Sequence, residues 1–142
     1  MSLDDVKQRF VQEIKLRAYD DKYVDRKEEK EILQIALQQN ISVDSARAAL
    51  AQVCEANGYV LESKVISEVK DLVETFAKND GSIDEKEFKD AVALCAKRCQ
   101  GKRNEVQCKR MVIEIIDDSS WKTSKGWFSN WYANVKKEVG MA

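Results

Sequence analysis

Slid along itself by 59 residues, the chain repeats (80 − 21 = 59). The stretch Y-D-D-K-Y-V-D-R-K-E-E at Tyr19–Glu29 then lies on K-N-D-G-S-I-D-E-K-E-F at Lys78–Phe88. Asp21 falls on Asp80, Asp25 on Asp84, Lys27 on Lys86 and Glu28 on Glu87. The apolar residues around the two stretches keep the same register: Phe10, Ile14 and Ala18 fall on Val69, Val73 and Ala77, and Leu33 falls on Val92. Internal repetition constrains a fold more than any local signal, because each copy is one supersecondary unit. The unit here reads as helix, short acidic turn, helix, with the copies at about 10–38 and 69–97.

Composition favours that reading. The chain has no Pro and only 5 Gly in 142 residues, with 35% charged and 44% hydrophobic residues, a mixture suited to helices joined by short turns. One all-helical domain over 1–142 is expected from the length. The formal charge of −1 gives no field for nucleic acid, and no basic run addresses a polyanion. No apolar stretch approaches the ~20 residues that a membrane-spanning helix needs. Met1–Asp5 has neither the basic region nor the apolar core of a signal peptide, which places the chain in the cytoplasm as an expectation.

About seven helices are expected from the periodicity. Leu3, Val6, Phe10, Ile14 and Ala18 recur every three or four residues and predict a first helix to about Tyr19. Asp25 reads as the N-cap of a second, with Glu28 completing a capping box. Ile32, Ile35 and Ala36 form its inner face, and it stops near Asn40. Ser42 caps a third helix with a small-residue face, ended by Gly58 as a left-handed cap. A fourth runs over about Leu61–Lys78 through Val65, Val69, Leu72, Val73 and Phe76, and is broken by Asn79-Asp80-Gly81. Asp84 and Glu87 form the second capping box and open a fifth helix with Phe88, Ala91, Val92, Cys95 and Cys99 on one face. After a polar turn at Gln100–Asn104, a sixth helix carries Val106, Met111, Val112, Ile115 and Ile116. A last, aromatic helix is expected over about 125–139. No run alternates long enough to predict a strand.

The acidic turns are the first candidate site. D-G-x-I-D-x-x-E resembles the second half of an EF-hand loop, in which Gly makes the bend and a final Glu is bidentate. Counted back from Gly81, however, the first and third ligand positions are Phe76 and Lys78, and the first copy has Arg17 first and Lys22 where the Gly belongs. Asp25, Glu28, Asp84 and Glu87 are explained by helix capping; Asp20, Asp21 and Asp80 are surplus to it. If the two turns meet, these seven carboxylates converge and would hold a divalent cation, calcium or magnesium, weakly.

At these residues the chain resembles the TerB-type domains of tellurite-resistance and stress-response systems, over about Phe10–Ile116. The resemblance rests on the paired helix–acidic turn–helix units and the D-G-x-I-D-x-x-E turn. It implies an all-helical, non-enzymatic domain that works in stress-response assemblies. Its acidic turns would be metal-binding, through Asp21, Asp25 and Glu28 and through Asp80, Asp84 and Glu87. Lys22 departs from that pattern.

Two further groups stand out. Cys95 and Cys99 are four apart on a helix, and Cys108 can swing back across the intervening turn as a third sulfur. They read as reduced core thiols, as a Cys99–Cys108 disulfide if the chain is exported, or as zinc ligands, although no standard zinc spacing is present. All 3 Trp lie near the C-terminus, where Trp127, Phe128, Trp131 and Tyr132 share one face of the last helix. That helix either closes the core or docks on a protein partner, with peripheral contact to a membrane surface as a further use.

Enzyme chemistry has little to work with. The chain has no His, no visible Ser–base or Cys–base pair and no Gly-rich loop before a helix. The function expected is a non-enzymatic interaction module with a weak divalent-cation site in its turns. The alternative is a dedicated calcium or divalent-cation sensor or buffer of degenerate EF-hand type. A carboxylate-based hydrolase with a metal in the turns comes third.

Overall fold

The computed structural model describes residues 2–119, 122–123 and 130–141, with the backbone alone at Asp80, Lys122 and Thr123. Seven helices and four two-residue strands occur among them. The expected all-α class and helix number therefore hold. The chain divides into two compact units, 1–64 and 65–142.

The first unit contains α1 (Leu3–Arg17), β1 (Tyr23–Val24), α2 (Arg26–Gln38), α3 (Val43–Asn57) and β2 (Val60–Leu61). Its three helices pack on one another. Val6, Phe10 and Ile14 of α1 meet Ile32 and Ala36 of α2 and Ala46 and Leu50 of α3 in one buried cluster. Each helix starts where its cap says. Ser2 accepts from Asp5 N and Asp25 from Glu28 N, both with the reciprocal bond of a capping box, and Ser42 accepts from Ser45 N. Gly58, at φ 74° and ψ 26°, ends α3 in the left-handed region that suits a residue without Cβ.

The second unit repeats the order. It is entered through α4 (Glu62–Asp80), which starts within the first, and continues with β3 (Ser82–Ile83), α5 (Glu85–Arg98), α6 (Glu105–Asp118), β4 (Lys122–Thr123) and α7 (Trp131–Glu138). The repeat is thus larger than the helix–turn–helix read from sequence: it is helix, strand, helix, helix, strand. The N-caps of α2 and α5 are 59 apart (84 − 25), and those of α3 and α6 are 62 apart (104 − 42). The link before α6 is longer, so the sequence register is lost there.

The strands are a correction. Tyr23 and Val24 pair in parallel with Val60 and Leu61, and Ser82 and Ile83 with Lys122 and Thr123. Two residues are too few to show alternation, so no strand is legible in them. Other corrections are local. α1 stops at Arg17, and Tyr19 lies outside it and is exposed. Leu3 and Val106, expected in apolar stripes, are each 41% exposed. Leu72 and Phe76 are only half-buried, and α4 extends to Asp80.

Acidic turns and a buried thiol cluster as candidate sites

The first acidic turn is bent by Lys22, which adopts φ 52°. Gly81, its repeat partner, adopts φ 74°. The backbone is therefore left-handed at the same place in both turns, although only one carries the glycine that makes this cheap. Asp21 Oδ1 accepts from Tyr23 N at 3.1 Å, which fixes the entry to β1. Asp25 Oδ1 accepts from Glu28 N at 2.8 Å, and Glu28 Oε1 accepts from Asp25 N at 3.1 Å. In the second turn Asp84 Oδ1 accepts from Glu87 N at 2.7 Å, and Glu87 Oε1 from Asp84 N at 3.0 Å. Both expected capping boxes are thus formed. The Asp80 side chain lies outside the described atoms.

Charge accumulates in the first turn. Burial pushes the Glu28 carboxyl above its ordinary range, and the charges of Asp25, Asp21 and Glu31 push it further, against the Asp25 backbone bond that lowers it. Beside the turn lies a polar network that no motif announced. The Tyr23 hydroxyl donates to Glu62 Oε2 at 2.5 Å, and the Ser63 hydroxyl donates to Glu29 Oε1 at 3.1 Å. Glu29 is buried, 7% exposed.

The cysteines do come together. Cys95 lies on α5, Cys99 is its C-cap and Cys108 lies one turn into α6. All three are buried, and their sulfurs lie within 4.8 Å of one another. They are the one set of three or more His, Cys, Asp or Glu so placed among the described residues. No disulfide joins them, so the expectation of reduced core thiols fits and the Cys99–Cys108 bridge is absent. Hydrogen bonding with Cys99, then burial, pushes the Cys95 thiol up, and burial pushes Cys108 up. Cys54, in the other unit, is raised to about 12 by burial, with the Glu29 charge adding. Thiols raised in this way carry little thiolate at neutral pH and are poor nucleophiles.

No family model, curated protein or solved structure matches the chain.

Of the aromatic face, Trp127 and Phe128 lie outside the described residues, as does Trp121. Trp131 is buried inside the second unit, its ring 5.5 Å from that of Phe88 and tilted by 47°. The Tyr132 hydroxyl donates to Asp117 Oδ1 at 2.6 Å, with the Ile113 carbonyl oxygen at 3.2 Å. Burial, and then that carboxylate, pushes its phenol up. Lys136 bonds Asp117 at 2.8 Å and sits over the Tyr132 ring, and Arg110 Nε donates to the Val139 carbonyl at 2.7 Å. These contacts seat α7 on α5 and α6. No helix among the described residues is long and apolar enough to cross a membrane.

Proposed function

We propose that the chain is a non-enzymatic helical interaction module of the cytoplasm, resembling TerB-type stress-response domains. Its acidic turns are helix caps first and weak divalent-cation sites second. The observation that carries this reading is the commitment of the turn carboxylates: Asp25, Glu28, Asp84 and Glu87 all bond the first turn of a helix. A calcium loop needs its carboxylates turned to a common centre instead. Buried, protonated thiols and the absence of His leave little for acid–base chemistry near neutral pH.

Support for a protein partner comes from surface. Leu16, in the last turn of α1, and Tyr19, just beyond its C-cap, are 77% and 75% exposed. In the second unit a groove of about 510 Å³ has Phe88, Val92, Ala93 and Ala96 as its apolar lining and Glu105 and Lys109 among its charged residues. An apolar floor with charged edges is the form that receives an amphipathic helix.

A dedicated cation sensor or buffer is the second reading, favoured by the carboxylates that raise Glu28. Native mass spectrometry with and without chelator separates the two. The module reading expects the bare mass in both, and a melting curve that millimolar calcium, magnesium or manganese moves little. A stoichiometric cation that survives desalting and is removed by chelator would overturn it in favour of the sensor.

A further inference from the structure

The first unit is an internal control for the cysteines of the second. By the register of the repeat, Cys95 takes the place of Ala36 (95 − 59) and Cys108 the place of Ala46 (108 − 62). Both alanines are fully buried, 0% exposed, so the same helix pair closes around methyl groups there. The fold does not require sulfur at these positions. Cys99 adds a third thiol from the connection just after α5, at the register of Asn40. Three sulfurs thereby meet in the one unit whose α5–α6 link is long enough to bring Cys99 beside Cys108.

We propose that Cys95, Cys99 and Cys108 form a binding site for a single three-coordinate thiophilic ion of the trivalent metalloid class, of which arsenite is the representative.

The donor set decides the softness. Three sulfurs within 4.8 Å of one another select a thiophilic ion, and the next sulfur, the Met111 thioether, lies 3.8 Å from Cys95 Sγ. Sulfurs bonded at about 2.3 Å to a common centre lie at most about 4 Å apart, so the cluster has to tighten little.

Coordination number and charge decide the class. Structural zinc takes four Cys or His ligands, and the chain has no His to complete the set. Three thiolates around zinc would leave a net charge of −1, and around copper(I) −2, in a fully buried place where net charge is heavily penalised. A trivalent centre leaves none. The reaction balances without oxidant or reductant: As(OH)3 and three cysteine thiols give As(S-Cys)3 and three waters. Three As–O and three S–H bonds break, and three As–S and three O–H bonds form. Burial suits this exchange, because each thiol proton leaves with a hydroxide of the ligand and no charge is left in the pocket. Entry is at Cys99, which directly precedes the exposed residues Gln100, Gly101 and Lys102.

The test is native mass spectrometry of the full reduced chain mixed separately with sodium arsenite, zinc(II) and copper(I). The expected product is one arsenic per chain, with a mass gain of one arsenic less three hydrogens, unchanged in Cys54→Ser. Cys95→Ala and Cys108→Ala copy the first unit, so each should keep its melting curve. Each should also bind arsenite ~100-fold or more weakly, having lost one intramolecular bond. If either alanine variant unfolds, the number of hydrogens displaced in the wild-type chain still decides. No adduct, displacement of fewer than three hydrogens, an adduct lost in Cys54→Ser, or zinc or copper held where arsenite is not would each overturn the proposal.

Discussion

At the fourth residue of its second helix the first unit buries Glu29, and at the same register the second unit buries Phe88 (88 − 29 = 59). Glu29 is held by the Ser63 hydroxyl, and Tyr23, in β1, is held by Glu62. Both partners come directly after β2. Phe88 is met instead by Trp131 of α7, an element with no counterpart in the first unit. One frame is thus finished by a polar latch from the chain that continues it, the other by an added aromatic helix. The frame is shared because caps, turns and helix faces repeat. The closure differs because it depends on the residues beyond the second strand, where the repeat has ended.

Removing Trp131 is the largest expected test of that contrast. Trp131→Ala should destabilise the second unit by about 3–5 kcal/mol, as for a buried aromatic lost to Ala. Denaturant unfolding of the full chain measures it, and a loss below about 1 kcal/mol would show that α7 is an appendage free to dock elsewhere. The matching change in the first unit is Ser63→Ala. It deprives buried Glu29 of its donor and should cost about 1–3 kcal/mol, the penalty for an unsatisfied buried group. If Ser63→Ala is neutral, Glu29 is served by another donor and the latch is not what closes the unit.

Where the units are alike, their variants should agree. Asp25→Ala and Asp84→Ala each remove the acceptor for the first turn of a helix and should each cost about 1 kcal/mol without any metal present. A difference well above that between the two would mean that one turn has a use beyond capping. Smaller still is the effect of Lys22→Gly. Lys22 sits at φ 52° where the sister turn has Gly81, and a left-handed L-residue costs roughly 1–2 kcal/mol, partly offset by the entropy glycine loses on folding. A net gain of about 0.5–1 kcal/mol is expected; a loss would mean that the Lys22 side chain holds the turn.

Legibility in the sequence tracks the range of each signal. The caps at Asp25/Glu28 and Asp84/Glu87 and the left-handed end at Gly58 are contained within four residues, and all were legible. The nearness of Cys108 to Cys95 and Cys99 was legible too, because helix spacing and one short turn determine it. The Tyr23–Val60 and Ser82–Lys122 pairings were not, since each joins two-residue segments far apart in the chain. Nor was the burial of Glu29: it lies in a polar run, R-K-E-E-K-E, and although the repeat sets it on Phe88, the burial of its carboxylate depends on Ser63, brought beside it from beyond the second strand. The full extent of the repeat was hidden by the longer α5–α6 link.

The smallest effect separates the two turns by charge. Glu28 is half-buried, with its carboxyl raised above the ordinary 4.5 by burial and by Asp25, Asp21 and Glu31. A carboxyl raised in the folded state holds its proton more tightly there than in the unfolded chain. Its contribution to stability is therefore fully present below about 4.5 and is lost as pH rises through the raised value. Glu28→Gln keeps an oxygen to accept from Asp25 N and so keeps the capping box, while removing the charge. The variant should melt at or slightly above the wild-type temperature at pH 7, and its melting temperature should vary less with pH from 4.5 upward. A cation at the turn would relieve the same repulsion, so millimolar calcium or magnesium should raise the wild type more than Glu28→Gln. A variant less stable at pH 7 would show that the carboxylate is held by favourable contacts rather than crowded. An equal cation response in both proteins would remove the first turn from the cation reading.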